Sequence, residues 1–373
     1  RPSSTSFVVI PEDCLGYSRL KILVICPRRV GDVFLATSVI RALRVRYPNA
    51  QLDMLVFRGT EVGVLSNPEI DNVISVPVRS SFGAQCRLIF KYYRQYDISI
   101  SLLPGDRPVL YAWLMGKKRY GTLTLAKKYF WKKWALHKWV EFDGSRRHTL
   151  VMYHDIVADL TDSAKRAPQI SKRVIEAEIQ ITRYTRWSHN NSYVVMHLTP
   201  KFKYKEWPLS KWHSLIQACL ECDLGIILVG IFDGSALDGL NLMYADEPRV
   251  LNLLNQTSIN ELVKIIHSAD CYIGTDTAVT HMAAATGTPT VAIFGPSSPL
   301  VWGPWPKDYS GGASAWRQTG SQTVANVTLI QGLGSCVPCL QEGCSQHIGS
   351  VSDCLVGLES TRVLQAILSY LER

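Results

Sequence analysis

No segment of this sequence is long and apolar enough to cross a membrane. The longest uninterrupted apolar stretch, Gly225 to Phe232, falls far short of the roughly 20 residues that a transmembrane helix requires. The N-terminal segment also lacks the apolar core of about 7 to 15 residues that marks a secretory signal. These absences predict a cytoplasmic protein.

Two common nucleotide-binding signatures and internal repeats are missing as well. The sequence contains no GxGxxG and no Walker A pattern, so a dinucleotide site and a P-loop site are not expected. No repeat of solenoid period occurs either. What remains is a chain of 373 residues, 47% of them hydrophobic, which suffices for two or three domains with ordinary packed cores and excludes intrinsic disorder.

Short apolar runs alternate with segments of helical periodicity in both halves of the chain. In the first half the runs are Lys21 to Cys26, Leu52 to Phe57 and Asp97 to Leu103. In the second half they are Tyr193 to Leu198, Gly225 to Gly230, Val250 to Leu254, Cys271 to Thr275 and Thr290 to Gly295. This alternation predicts βαβ units and parallel sheets. The fold class is therefore α/β, with two Rossmann-like doubly wound domains facing a central cleft.

The predicted boundaries divide the chain into three parts. Residues 1–185 form an N-terminal domain, residues 186–357 a C-terminal domain, and residues 358–373 a helix that packs back on the N-terminal domain. Ligands of such folds bind beyond the carboxyl ends of the strands. The residues that directly follow each apolar run are therefore the candidates for a functional site.

Asp32 follows the first run and lies at the start of a predicted helix. Two interpretations stay open for its carboxylate. It either caps the helix by accepting hydrogen bonds from free backbone N–H groups, or it faces the cleft and takes a proton from a bound hydroxyl.

In the second half, hydroxyl, basic and acidic residues follow two of the strands. Thr199 is followed by Lys201, Lys203 and Lys205, and nothing in the spacing says which lysine points inward. Asp276 and Thr277 come directly after another strand, and the small residues behind them would let a phosphate approach the helix N-terminus. His281, one turn later, is either a buried structural imidazole or a ligand contact.

Together these motifs resemble bacterial glycosyltransferase family 9, the lipopolysaccharide heptosyltransferases. The resemblance rests on the segment from Lys21 to Ala50, on NPEIDNVI, on the pattern from His197 to Pro208, and most specifically on D-T-x-x-x-H-x-A-A-A-x-G-x-P from Asp276 to Pro289. SLLPGDRP and the C-terminal cysteine segment are most similar to the third, side-branch heptosyltransferase type.

The resemblance implies a GT-B fold with the acceptor in the N-terminal domain and the nucleotide sugar in the C-terminal domain. It also implies an inverting transfer of heptose from ADP-heptose to the lipopolysaccharide inner core, without a metal or other cofactor. Asp32 matches the catalytic base, Lys205 the lysine on the donor diphosphate and Asp276 the carboxylate on the sugar hydroxyls. The remaining donor positions are Thr199, Thr277, Ala278 and His281.

Two departures from the family pattern leave alternatives in the donor site. The stretch from His197 to Trp207 is one residue longer than in family members, so Lys203 could take the place of Lys205. Asp233 stands where family members often carry a glutamate for the ribose.

Net charge points to an anionic partner. The chain carries +9, and the segment from Lys117 to Arg147 holds ten basic residues against Glu141 and Asp143, a local charge of +8. Aromatic residues lie between the basic residues of this segment. Such a pattern suits single-stranded nucleic acid or a phosphorylated glycolipid at an anionic membrane surface. A solvated loop is the third alternative. The resemblance favours the glycolipid, with peripheral contact at the inner face of the inner membrane and no nucleic acid. The candidate acceptor residues are Lys127, Lys128, Lys132, Lys133, Trp131, Trp134 and Arg107.

Four cysteines lie close together near the C-terminus. Cys336, Cys339, Cys344 and Cys354 have C-x2-C-x4-C-x9-C spacing, and the other six are scattered. Four thiolates could hold a structural Zn or Fe ion, and a loop without metal is the alternative. Family members with such segments that modify autotransporter proteins bind iron, so a protein acceptor is the alternative to lipopolysaccharide; a nucleic-acid-binding protein is the second alternative.

Overall fold

Two parallel sheets organise the chain in a computed structural model. The structure describes residues 19–64, 67–124, 130–161, 192–232, 239 and 242–371. The strands of the first sheet are β1 (Lys21–Ile25), β2 (Gln51–Phe57), β3 (Asn72–Val76), β4 (Tyr96–Ser101), β5 (Gly116–Leu123) and β6 (Lys138–Glu141). They are all parallel, in the order β3-β2-β1-β4-β5-β6.

Helices cover both faces of this sheet. On one face lie α1 (Val30–Arg46) and α5 (Thr149–Ile156), packed against alternate β1 residues such as Ile22 and Val24. On the other face lie α2 (Phe82–Tyr92), α3 (Asp106–Met115) and α4 (Phe130–Ala135), packed around Leu23 and Ile25. β1 is apolar from Ile22 to Ile25 because successive side chains point to opposite, equally buried faces.

The second sheet repeats the same order and adds an antiparallel edge. Its strands are β7 (Tyr193–His197), β8 (Gly225–Val229), β9 (Val250–Asn252), β10 (Cys271–Thr275), β11 (Thr290–Phe294), β12 (Gln322–Val324) and β13 (Val327–Gln331). The order is β12-β13-β11-β10-β7-β8-β9, and β12 is antiparallel to β13. In both sheets the strand order switches from one side of the first strand to the other. These switch points lie between β1 and β4 and between β7 and β10.

The helices of the second sheet also form two layers. α6 (Leu209–Glu221) and α11 (Ser360–Leu371) pack on one face, and α7 (Ile259–His267) and α8 (Ala278–Thr286) pack on the other. Two short helices, α9 (Pro299–Trp302) and α10 (Asp353–Val356), follow β11 and β13. The prediction of two doubly wound α/β domains is confirmed.

The C-terminal helix packs on the second sheet. Val363 and Ile367 of α11 lie in the core of that sheet, against α6. Their spacing of four residues gives α11 one apolar face, and this face is buried against the second sheet and α6. The predicted boundary between residues 185 and 186 lies outside the described residues.

A loop of the C-terminal half packs against the first sheet. Trp305 is fully buried in the core of the first sheet, where Tyr309 also packs. Beside them, His148 Nε2 lies 2.9 Å from the carbonyl oxygen of Gly303, and the His148 ring meets the Trp305 ring edge-on at 5.0 Å. The two halves are thus joined through a buried contact.

The basic segment predicted as a binding surface contains two strands and a helix. Lys117 to Leu123 belong to β5, between β4 and β6, and the chain then continues through α4 to β6. Several of its basic residues therefore occupy fixed positions on the sheet. No helix in the described part of the chain has the length and apolarity that a membrane crossing needs.

Candidate active site

Buried polar atoms without hydrogen-bond partners collect at the carboxyl edges of the two sheets. Among the described residues, five such atoms belong to residues at or after the ends of β1, β7, β10 and β11: Asp32, His197, Thr275, His281 and Ser298. Buried polar groups normally have hydrogen-bond partners. This concentration therefore marks the carboxyl edges of the two sheets, next to their switch points, as the candidate site.

Asp32 lies in the first turn of α1 and is buried. The helix N-cap is Arg29, and no side-chain cap hydrogen bond is present, so the capping interpretation of Asp32 is wrong. Its Oδ2 lies 3.2 Å from Nε of Arg28, while Oδ1 has no partner among the described residues. Burial raises the pKa of Asp32, and the Arg28 and Arg29 charges oppose that rise.

Lys205 and Asp276 form an ion pair on the other side of the site. Lys205 ends a short 3-10 turn, Lys203–Lys205, and Asp276 follows β10 directly. Burial alone would raise the pKa of Asp276, but the Lys205 ammonium and a hydrogen bond from Ser297 hold it below its ordinary value. The Lys205 charge also reaches Asp32 and lowers the pKa of that carboxyl.

The two candidate lysines differ in environment. Lys205 is half-buried and paired with Asp276, whereas Lys203 in the same turn is exposed. The charge of Lys203 acts on Glu206, outside the site. Of the two, the geometry therefore brings Lys205 to the buried carboxylates.

The N-terminus of α8 faces the N-terminus of α1. Thr277 caps α8 by accepting a hydrogen bond from the backbone N of Thr280. A Cβ added to Gly31 of α1 would lie 3.6 Å from Cα of Ala278 and 3.8 Å from Cδ2 of His281. The small side chains predicted for phosphate approach thus also let the two helices meet.

His281 is a buried neutral imidazole in this contact. Burial lowers its pKa to about 4, an effect that Asp276 opposes, and Nδ1 has no hydrogen-bond partner among the described residues. The ring therefore sits beside the site with one nitrogen available to a ligand.

Thr199 fixes the loop after β8. Its Oγ1 accepts a hydrogen bond of 2.9 Å from the backbone N of Ile231. A Cβ on Gly230, whose φ is +140°, would lie 2.3 Å from the same oxygen, so this close approach requires glycine. Asp233, the predicted ribose ligand, lies outside the described residues.

Two arginines that the sequence analysis did not single out bridge the site. The guanidinium of Arg28 lies 5.9 Å from the Trp302 ring centroid, and that of Arg29 lies 4.3 Å from the Phe202 ring centroid. Both rings belong to the C-terminal half. The available signal was the position of both arginines directly before Asp32, but their aromatic partners are far away in sequence.

The candidate acceptor residues occupy several environments. Lys132 is buried, donates 2.6 Å to the carbonyl oxygen of Pro104 and pairs with Asp106 at 2.8 Å, so it supports the loop before α3. Arg107 donates to Tyr111 Oη at 2.7 Å and is similarly engaged. Trp131 is half-buried in the first core, whereas Lys133 and Trp134 are exposed. Lys127 and Lys128 lie outside the described residues.

The four clustered cysteines are free thiols. Cys354 is buried, and burial with the neighbouring Cys339, Cys344 and Cys336 raises its pKa to about 11. In the described part of the chain no three His, Cys, Asp or Glu side chains are arranged to hold a metal ion.

Comparison with known proteins links this geometry to an enzyme family. Residues 95–325 match the family model described as glycosyltransferase family 9 (heptosyltransferase). Lipopolysaccharide heptosyltransferase 3 of Escherichia coli is 24% identical over 293 residues, which cover 74% of this chain and 83% of that protein. Lipopolysaccharide heptosyltransferase 2 of Escherichia coli K12 is 25% identical over 311 residues, covering 75% and 84%.

Solved structures share the fold. The Escherichia coli ADP-heptose lipopolysaccharide heptosyltransferase II aligns with a TM-score of 0.70 at 20% identity, covering 95% of this chain and 99% of that one. The Escherichia coli heptosyltransferase WaaC with ADP aligns with a TM-score of 0.67 at 14% identity, covering 94% and 100%. The predicted GT-B arrangement is confirmed by these neighbours.

Proposed function

The chain belongs to glycosyltransferase family 9, the heptosyltransferases, and we propose that it transfers heptose from ADP-heptose to the inner core of lipopolysaccharide, with inversion and without a metal ion. The observation that carries the proposal is the buried carboxylate of Asp32 facing the Lys205–Asp276 pair across the site. One side offers a base and the other offers a cation with a carboxylate.

Donor binding falls to the C-terminal half. The Lys205 ammonium and the free N–H groups at the start of α8 would bind the diphosphate, since both favour anions. Asp276 would accept hydrogen bonds from sugar hydroxyls, and Thr199, Thr277, Ala278 and His281 would line the same side. The WaaC structure contains ADP, which supports a nucleotide donor for a chain of this fold.

Transfer is then a single displacement. Asp32 takes the proton of the acceptor hydroxyl while that oxygen bonds to the anomeric carbon. The bond from that carbon to the diphosphate oxygen breaks, and ADP leaves with the electron pair. Attack from the face opposite ADP inverts the anomeric centre. Charge grows on the leaving diphosphate, where Lys205 and the α8 N–H groups stabilise it, so the step needs no metal ion.

The electrostatics of Asp32 suit a general base. A base works best when its pKa lies near the operating pH, and burial moves the pKa of Asp32 upward from the ordinary range. The Arg28 charge opposes that rise and so favours the ionised carboxylate, the form that accepts a proton.

The acceptor is assigned from the relatives. Both heptosyltransferase types matched above act on lipopolysaccharide by name. We propose that residues 1–185 bind this acceptor, that residues 186–357 bind the donor, and that the enzyme works in the cytoplasm in peripheral contact with the inner membrane.

The test measures ADP release from ADP-heptose with and without truncated core lipid, in the presence of EDTA. Wild-type protein should release ADP only with the lipid. Asp32→Asn should release it about 10² to 10⁴ times more slowly while ADP still raises its thermal unfolding midpoint.

The matched control is Asp53→Asn. Asp53 is also buried, but it accepts a 2.7 Å hydrogen bond from Tyr96 at the opposite, amino edge of the first sheet. That variant should keep its rate of ADP release. Retained ADP binding without lipid-dependent release would refute the lipid acceptor and point to a protein acceptor, and loss of all activity when EDTA is added would refute a metal-free step.

A further inference from the structure

Helix α2 exposes large aromatic side chains on its outer face. No residue of this helix is buried, and Phe82 and Phe90 are 85% and 86% exposed. Tyr93, just after the helix, is also exposed. A single exposed apolar side chain is ordinary, but grouped exposed aromatic rings mark an interaction surface.

The exposed rings share one face because of helical geometry. Phe82, Cys86 and Phe90 recur every four residues, and all three are exposed. Leu88, Ile89 and Tyr92 on the opposite side pack against the core of the first sheet. The helix is therefore already docked through one face, and the face with Phe82 and Phe90 is left over from that packing.

Charge on this helix has one sign. The segment from Arg79 to Arg94 contains four basic residues and no acidic residue. Arg87 and Lys91 are exposed beside Phe90. Among the described residues no carboxylate forms an ion pair with Arg79, Arg87 or Lys91. An apolar stripe flanked by cations is the pattern of helices that lie in the headgroup region of anionic bilayers.

The neighbouring helices extend the same surface. α3 packs between α2 and α4, and the rings of Trp113 on α3 and Trp131 on α4 lie 6.4 Å apart. Trp134 at the end of α4 is 84% exposed, next to the exposed Lys133. The exposed acid here, Asp106, is neutralised by Lys132. Tryptophan and lysine side chains settle at the lipid headgroup level, as this surface requires.

The start of α2 is tied to the edge of the sheet that carries the active site. Arg107, at the beginning of α3, donates 2.9 Å to the carbonyl oxygen of Val78 and 3.3 Å to Oγ of Ser80. Both α2 and α3 begin at the carboxyl ends of their strands, which is the edge where Asp32 lies. A surface along α2 therefore runs up to the rim of the acceptor side.

We propose that the outer face of α2, with Phe82, Phe90, Arg87 and Lys91, docks the enzyme on an anionic lipid bilayer. This assignment rests on the membrane contact proposed with the function and gives that contact a surface. The positive charges of Arg87 and Lys91 favour a bilayer over a second copy of this chain, because self-association through this face would place like charges against each other. The sequence analysis placed the surface in the segment from Lys117 to Arg147, and Lys133 and Trp134 of that segment extend the surface proposed here.

The experiment is flotation of the full-length protein with vesicles, without substrate. Vesicles of phosphatidylglycerol and phosphatidylethanolamine are compared with vesicles of phosphatidylcholine. The wild-type protein should bind the anionic vesicles at least about tenfold more tightly, and salt should weaken that binding. Phe82→Ser with Phe90→Ser should weaken it at least about tenfold, and Arg87→Glu with Lys91→Glu about fivefold or more per residue.

Matched controls change the same chemistry elsewhere. Val45→Ser with Ile348→Ser removes two other exposed apolar side chains, and Arg46→Glu with Lys118→Glu reverses two other exposed charges. Both pairs should bind anionic vesicles within about twofold of wild type. Circular dichroism and ADP-induced thermal stabilisation establish that each variant is folded.

Three outcomes would overturn the assignment. The first is that the α2 variants bind anionic vesicles as tightly as the wild type does. The second is that a control pair loses as much vesicle binding as the α2 variants lose. The third is that the α2 variants have a lower oligomeric mass with vesicle binding unchanged, which would make this face a contact between copies of the chain. ADP release with detergent-dispersed acceptor should be unaffected by the α2 changes. Absent release with intact vesicle binding would count against the proposed function and leave this surface standing.

Discussion

Arg28 links the candidate base to the opposite half of the molecule. It pairs with Asp32 four residues later and lies over the ring of Trp302. A buried carboxylate without a nearby cation would take up a proton. Arg28 therefore has two effects: its charge lowers the pKa of Asp32, and its guanidinium lies near a ring of the C-terminal half.

Replacing Arg28 with Met should move the pH dependence of turnover. Burial raises the pKa of Asp32 and the Arg28 charge lowers it, so loss of Arg28 raises it further. The base is then protonated over a wider acidic range, and the acidic limb of the kcat profile should shift to higher pH. The measurement is the initial rate of ADP release at saturating substrates from about pH 5 to 9.

The control for this shift is Arg317→Met, which removes an exposed arginine from the loop before β12. Its profile should coincide with that of the wild type. A rate that falls in Arg28→Met by the same factor at every pH would contradict the electrostatic role and leave only a structural one.

At the scale of elements, the site comes from three turns that leave parallel strands at one edge. β1 leads into α1, β7 leads through the Lys203–Lys205 turn, and β10 leads into α8. Parallel strands of one sheet all end at the same edge, and the carboxyl edges of the two sheets meet at the candidate site. Short segments far apart in sequence therefore bring side chains to one place. The 3-10 turn decides which lysine arrives, since residues two apart point in different directions.

Lys205→Met should weaken ADP-heptose binding far more than Lys203→Met. Lys205 points to Asp276, and a charge-assisted hydrogen bond to phosphate contributes about 1.5 to 3 kcal/mol, which corresponds to a 10- to 100-fold rise in KM. Lys203 is exposed and should change KM less than about threefold. Isothermal titration with ADP and initial rates check both, and a larger effect at Lys203 would assign the diphosphate to that residue.

The sequence predicted the elements whose pattern is local. The apolar runs of β1, β7, β8, β10 and β11 gave both sheets. Residues placed after them gave Asp32 and Asp276 as candidates, but position alone could not choose among Lys201, Lys203 and Lys205. β5 was missed because Lys117 to Arg119 carry charge at its exposed start. The exposure of the aromatic residues of α2 was missed because such residues, as in any amphipathic helix, predict a buried face. Only packing shows which face stays outside.

At the scale of the whole molecule, long-range contacts decide how the halves meet, and these have no local signature. Trp305 enters the first core from a loop 149 residues beyond the end of α5 at Ile156. His148 meets the carbonyl of Gly303 there. With His281 against Gly31, two buried imidazoles lie where the halves touch, and a third, His197, lies at the end of β7.

These three histidines should make the fold sensitive to acid. Burial lowers the pKa of His148, His197 and His281 to about 4, whereas in the unfolded chain it is about 6.5. Between these values the unfolded chain binds more protons than the folded protein, so the free energy of unfolding falls as pH decreases. Stability from the neutral imidazoles is complete above about pH 6.5 and is lost towards pH 4, with a slope of up to about 4 kcal/mol per pH unit for three groups.

Thermal unfolding followed between pH 7.5 and about pH 4.5 measures this effect, and the midpoint should fall steadily below pH 6.5. The raised pKa of Asp32 acts in the opposite direction, but it is one group against three. His148→Gln should keep the hydrogen bond to Gly303 while removing one titrating ring, so its midpoint should fall less steeply. His267→Gln, at an exposed position, should match the wild-type slope. A midpoint that stays constant from pH 7.5 to 4.5, or equal slopes in His148→Gln and wild type, would mean that protonation of the contact between the halves does not limit stability.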